Sequence, residues 1–187
     1  LAEVLHFVHV DTGALYRAIA YLLLKEKLEI GMVVDPSELA KKTHLEFKRI
    51  KNKNPSNRIF ANGRDVTDFI RLPEVTAEAS RVSAIPEVRA ALLGFQRKLG
   101  CKGKTILEGR DIGTVIFPDA DVKFFLSASL EERAKRRLIE LEAAGSDAPS
   151  FEEVKAQIHA RDEGDTHRKV APLKKAEDAI EFDTSGM

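Results

Sequence analysis

Short apolar runs that end in charged, glycine-containing phrases constrain this chain most. Phe7-Val8-His9-Val10 leads into Asp11-Thr12-Gly13, and Thr105-Ile106-Leu107-Glu108 leads into Gly109-Arg110-Asp111. Val122-Lys123-Phe124-Phe125-Leu126 and Ala179-Ile180-Glu181-Phe182 are two more such runs. Their length and their β-branched and aromatic content predict strands. The runs at 105 and 122 are mostly apolar rather than alternating, which suits strands buried on both faces of a parallel sheet. Helical patterns fill most of the intervals, so the predicted fold class is α/β, a parallel sheet flanked by helices. In open sheets of this kind, ligands bind in the crevice beyond the carboxyl ends of the strands.

The helices are legible from spacing and caps. Leu15, Ala18, Ile19, Leu22 and Leu23 recur at helical intervals, which predicts a helix over 13–26. Pro73 and Pro86 open helices over about 74–83 and 86–99. Ser129-Leu130-Glu131-Glu132 and Ser150-Phe151-Glu152-Glu153 read as capping boxes. They start helices over about 130–143 and 151–163, with Gly145 and Pro149 between.

Residues 31–71 break the alternation. Asp35-Pro36-Ser37-Glu38 predicts a short helix ending near Thr43, with Asp capping and Glu reaching back. Strands follow over Leu45–Ile50 and Asn57–Ala61, separated by the polar turn Lys51–Ser56, and Asn62-Gly63 is a hairpin signal. The organisation expected is one domain over 1–187, with a core of 1–30 and 72–187 and a small α+β insertion at 31–71.

Composition excludes several roles. Thirty basic and thirty acidic residues cancel, so no overall field draws the chain to nucleic acid or anionic lipid. Any bound anion must be held by arginines gathered locally. No apolar run approaches the roughly 20 residues that span a bilayer. Cys101 is the only cysteine, which fits a reducing cytoplasm and leaves no internal disulfide. The five histidines show no metal-ligand spacing, and a monomer is expected.

Three phrases carry chemistry. Thr12 is placed to cap a helix, with Arg17 on its first turns, so hydroxyl, free N–H groups and guanidinium would face one anion. A capped helix with a solvated arginine is the plainer alternative. Glu108, Arg110 and Asp111 crowd the end of a strand, which is costly unless they are paired or bind a ligand. Their plainer alternative is an Arg–Asp pair that pins the loop. Arg161, Asp165 and Arg168 fall at i, i+4 and i+7, on one helical face or at the root of a lid loop over 161–172. An exposed ion pair worth about 0.3–0.5 kcal/mol is the alternative there. Gly103-Lys104-Thr105 mimics the end of a phosphate-binding loop, but Lys98 stands where that motif needs glycine and a strand follows.

Thr12-Gly13-Ala14-Leu15-Tyr16-Arg17, Glu108-Gly109-Arg110-Asp111-Ile112-Gly113-Thr114 with Phe117-Pro118, and Arg161-Asp162 through Ala171-Pro172-Leu173 resemble bacterial cytidylate kinases in order and spacing. The stretch from Ala79 to Ala84, with Val88-Arg89, matches as well. The resemblance implies a nucleoside monophosphate kinase fold with 31–71 as the monophosphate-binding subdomain. It implies transfer of a phosphoryl group from ATP, with Mg²⁺, to CMP or dCMP. It places Arg110, Arg161 and Arg168 in catalysis, and Thr12 and Arg17 at the acceptor phosphate. Ser80, Arg89 and Asp111 would read the cytosine edge, and Asp165 would hold the sugar hydroxyls. The family's first strand and lysine-bearing glycine loop have no counterpart among the 187 residues, so a truncated, inactive and poorly soluble chain with bare strand edges is expected. The alternatives are a non-catalytic CMP-binding remnant, or an assembly module that uses the helices and the 31–71 insertion as a partner surface.

Overall fold

The computed structural model describes residues 1–30, 34–50, 57–143 and 149–187. The predicted turn at 51–56 and Gly145 lie outside the described residues. The chain divides into two compact units, Leu1–Gly109 and Arg110–Met187.

In the first unit, α1 (Ala2–Leu5) precedes β1 (Val8–Asp11) and the long helix α2 (Gly13–Ile30). α2 outruns its predicted end at 26, and a Lys25–Glu29 ion pair one turn apart, at 3.5 Å, supports the added length. Then follow α3 (Pro36–Lys42), the antiparallel strands β2 (Leu45–Arg49), β3 (Asn57–Ala61) and β4 (Arg64–Asp65), the helices α4 (Pro73–Ser83) and α5 (Pro86–Gly100), and β5 (Thr105–Glu108). β1 and β5 pair in parallel, with Val8 opposite Thr105 and Asp11 opposite Glu108. Leu15, Ala18 and Ile19 of α2 form the middle of the core, against Val75, Ala79 and Val82 of α4 and Ile59, Ala61, Val66 and Ile70 of the insertion. Each fully buried aliphatic side chain contributes about 1.5–3 kcal/mol, so the insertion is held by the same core as α2.

Local signals in the insertion are realised in detail. The Asp35 carboxylate accepts from the N–H groups of Ser37 and Glu38 at 2.7 and 3.1 Å, with Pro36 in the first turn. Glu38 does not reach back to complete a box; its carboxylate goes to Lys41 at 2.9 Å, because a nearby cation outcompetes a neutral N–H. Asn62 and Gly63 both have positive φ, as a tight hairpin of this type requires.

Arg58 anchors the segment after the hairpin. Its buried guanidinium meets Asp65 at 2.7 Å and Asp68 at 2.6 Å. Burial raises the Asp65 carboxyl, but the Arg58 guanidinium and the Thr67 N–H and hydroxyl outweigh it, leaving the group below its ordinary value of 3.8. A carboxyl lowered on folding stabilises the fold above its unfolded value and loses that contribution as pH falls through the folded one. Arg58→Met is therefore expected to lower the neutral-pH melting temperature by about 10 °C. The same change should shrink the further loss of stability on acidification below the ordinary value of 3.8. Circular-dichroism melts across that range check both, and an unaltered neutral melt would contradict the anchoring role.

The second unit opens with a π-helical turn (Ile112–Ile116), followed by β6 (Phe124–Ser127), α6 (Leu130–Ala143), α7 (Phe151–His167) and β7 (Ile180–Asp183). β6 and β7 pair in parallel. The capping box at Ser150 makes both of its bonds. At Ser129 only half forms: the Glu132 N–H donates to the Ser129 hydroxyl at 3.2 Å. The Ser129 N–H donates to Ser185 instead, and Glu132 is drawn to Arg136.

Two expectations need correction. The parallel strands are not buried on both faces: Phe124, Leu126, Ile180 and Phe182 are exposed. Burial on both sides needs layers on both faces of a wider sheet, and each parallel pair is two strands wide among the described residues. The helix from Ser150 does not stop at 163 but continues to His167, because nothing in 161–167 breaks a helix beyond the tolerable Gly164. Among the described residues, no helix is long and apolar enough to cross a membrane.

Candidate active site

The candidate residues form clusters within each unit. In the first, β1 and β5 end side by side, and Thr12 stitches them together. Its N–H and hydroxyl both donate to the Glu108 carbonyl, at 3.0 and 2.8 Å. Thr12 is buried and its hydroxyl proton is committed to the backbone, which differs from the open cap expected from sequence. Gly13 then starts α2. A Cβ there would lie 3.0 Å from an Asp11 carboxylate oxygen and 3.1 Å from Arg17 Nη1, so glycine makes room for the Asp11–Arg17 pair, closed at 2.5 Å. Arg17 Nε is buried and has no hydrogen-bond partner among the described residues. A buried, unsatisfied cationic donor is costly and suits a site that an anion completes.

Ser83, at the α4–α5 junction, links Ser80 and Arg89. The Ser83 hydroxyl donates to the Ser80 carbonyl at 3.0 Å, and Arg89 Nη1 donates to the Ser83 carbonyl at 3.0 Å. The Arg89 guanidinium lies 5.4 Å from the centre of the Tyr16 ring, a cation–π contact. Arg89 is buried among these neighbours and held in one orientation.

A cavity of about 300 Å³ opens at the ends of β1 and β5, walled by His9, Asp11 and Glu108 from those strand ends and by Phe47, Asn57 and Arg71 from the insertion. Asn57 Nδ2 donates to the His9 carbonyl at 2.7 Å, tying the inserted sheet to β1. Sequence reading left Phe47, Asn57 and Arg71 unassigned, since only the folded insertion brings them to the strand ends.

In the second unit, three guanidinium groups converge on one carboxylate. Arg110 Nε lies 3.2 Å from Asp165 Oδ2, Arg161 Nε 3.9 Å from the same oxygen, and Arg168 Nη1 3.2 Å from Oδ1. The Asp165 and Arg168 side chains are only 8% and 7% exposed, so this is no solvated surface pair. The helical-face spacing is only part of the cause. Arg168 caps α7 in extended conformation and curls back, with Nε bonded to the Ala171 carbonyl. The Leu173 N–H also donates to the Asp165 carbonyl at 2.8 Å, folding the 168–173 strap over the helix end. Asp162 faces away to Arg133 and takes no part.

Asp111 is buried, and its carbonyl accepts from the Val115 N–H at 2.9 Å at the start of the π-helical turn. Gly113 within that turn has no room for a side chain: a Cβ would stand 3.1 Å from Lys123 Cδ. Lys123 cannot readily yield, because its ammonium is bonded to both carboxylate oxygens of Asp178 and to the Pro118 carbonyl.

Three guanidinium groups around one carboxylate gather many N–H donors at one point. Such a group suits an anion rich in oxygen acceptors, above all a phosphoryl group. Among the described residues, no group of three or more His, Cys, Asp or Glu side chains could hold a metal ion. Mg²⁺, which the resemblance implies, is ordinarily held by one or two carboxylates together with substrate phosphates.

The whole chain, residues 1–187, matches the family model described as Cytidylate kinase. It is 47% identical over 187 residues to the cytidylate kinase of Geobacter sulfurreducens, covering 100% of this chain and 78% of that protein. It is 46% identical to that of Carboxydothermus hydrogenoformans, covering 100% and 82%. A bifunctional pantoate ligase/cytidylate kinase of Prochlorococcus marinus is 44% identical over 186 residues, which make up 36% of that longer protein. The phrases read from the sequence, the arginine cluster and these similarities agree, and the chain belongs to the cytidylate kinase family.

Proposed function

We propose that the protein transfers the γ-phosphoryl group of ATP to CMP or dCMP, giving ADP and CDP or dCDP. The observation that carries this reading is the convergence of Arg110, Arg161 and Arg168 on Asp165. A phosphate oxygen of CMP attacks the γ-phosphorus, and the bond from that phosphorus to the β–γ bridging oxygen breaks, leaving its electrons on ADP. The attacking phosphate is already an anion near neutral pH, so the reaction needs no general base. It needs in-line positioning and cationic donors on the transferred group, which the three arginines supply. A divalent cation in such a reaction is carried largely by the substrate phosphates.

Acceptor recognition falls to the other residues. Arg17, with a spare buried donor, takes the acceptor phosphate beside Thr12. Ser80, Arg89 and Asp111 read cytosine, whose exocyclic amine donates and whose N3 and O2 accept. Asp165 accepts from the sugar hydroxyls. Buried polar groups left unpaired by a mismatched base make such a site strongly selective.

A second reading, CMP binding without transfer, has one observation in its favour. The sequence Gly103-Lys104-Thr105 runs directly into β5 rather than into a helix, so it offers ATP no helix N-terminus. A coupled assay of CMP-dependent ADP release, run beside CMP titration calorimetry, separates the two. Binding with release at ordinary kinase rates, about 1–100 s⁻¹, supports transfer; binding with no release supports the second reading. Absence of CMP binding overturns both.

A further inference from the structure

We propose that Arg71 is a specificity-determining contact for the acceptor, binding the 5′-phosphate of a nucleoside monophosphate whose base lies against Phe47 in the cavity of the first unit. The proposal rests on the acceptor reading above and adds residues that reading does not use.

The cavity's charges point to this role. Glu108 is satisfied by His9 at 3.1 Å and Asp11 by Arg17 at 2.5 Å. Arg71 lines the same cavity and makes no hydrogen bond or ion pair among the described residues. Arg71 is thus the cationic wall residue without a partner among the described residues, and its guanidinium is a donor fork suited to a phosphate. Ile59 and Ile70 are buried beside the Phe47 ring, an apolar surface suited to a flat heterocycle. One ligand with both an aromatic ring and a phosphate fits the pair of features.

Arg71 is exposed at its tip yet held at its root. Ile70, next to it, is buried, and its N–H donates to the Val66 carbonyl at 3.1 Å. Phe69 stacks on Tyr21 with ring centres 5.2 Å apart. Arg58 holds Asp65 and Asp68 upstream. The guanidinium is therefore delivered to the cavity wall by a braced loop, and its replacement should leave the fold intact. A braced donor loses less freedom on binding than one on a free loop.

Titration calorimetry with CMP and with cytidine tests this on the wild type, Arg71→Gln and Phe47→Leu, with melting curves as the control for folding. Arg71→Gln should weaken CMP by about 10- to 100-fold and leave cytidine unchanged, while Phe47→Leu should weaken both alike. If the wild type binds CMP and Arg71→Gln binds it equally well, the inference fails and the acceptor reading stands. Equal losses for CMP and cytidine in Arg71→Gln would remove the phosphate from Arg71. A wild type that binds no CMP ends the acceptor reading and this inference together.

Discussion

Asp165→Ala is expected to lower the free energy of unfolding by about 3–5 kcal/mol, the cost of leaving buried charge uncompensated. Asp165 is the common partner of Arg110, Arg161 and Arg168, and both it and Arg168 are almost fully buried. Without the carboxylate, the three guanidinium groups lose the anion they share. Arg168 could not simply swing into water, because its Nε is tied to the Ala171 carbonyl and the strap closes through Leu173. Urea denaturation of the wild type, Asp165→Ala and Asp165→Asn measures the effect. The asparagine variant keeps an acceptor for Arg168 but loses the charge, so it should fall between the other two. Added pyrophosphate should restore part of the loss, because an anion takes the place of the carboxylate. A change below about 1 kcal/mol, the range of a surface pair, would mean that the cluster is solvated and carries no stored charge.

Arg17→Ala is expected to weaken CMP binding by about 100-fold, near the upper end for a charge-assisted contact. Two effects add. The acceptor phosphate loses a donor, and Asp11, now without its partner at 2.5 Å, presents a bare carboxylate to an incoming anion. The double variant Arg17→Ala/Asp11→Asn removes the second effect and should recover part of the affinity. Titration calorimetry on the two variants checks the order. Unaltered affinity in Arg17→Ala would take the acceptor phosphate away from this helix start.

Elements whose signals are local were legible in the sequence. The cap at Asp35, the box at Ser150 and the positive φ of Asn62 and Gly63 follow from side-chain chemistry within a few residues. The phrases around Arg17 and Arg110 were legible for a different reason, because charge at strand ends is costly unless it has a use. What was not legible depends on competition between partners, some near in the chain and some distant. Glu38 and Glu132 were free to complete capping boxes until Lys41 and Arg136 offered stronger partners. Thr12 was readable as a cap but not as a stitch to Glu108, which needs β1 and β5 in register. No spacing rule links Arg110 to Asp165, and only folding places both at one point. The exposed apolar face of β6 and β7 was hidden for a related reason, since the number of layers over a sheet is not written in any one strand.

Polar groups and arginines that await cytidine monophosphate should distinguish it from a purine nucleotide. Calorimetric titration with CMP and AMP, side by side on the wild type, tests this most directly. Saturable CMP binding at one site is expected, with AMP weaker by at least about 100-fold, because a purine leaves the base-reading groups unpaired. Equal affinity for the two nucleotides, or no CMP binding, would contradict it.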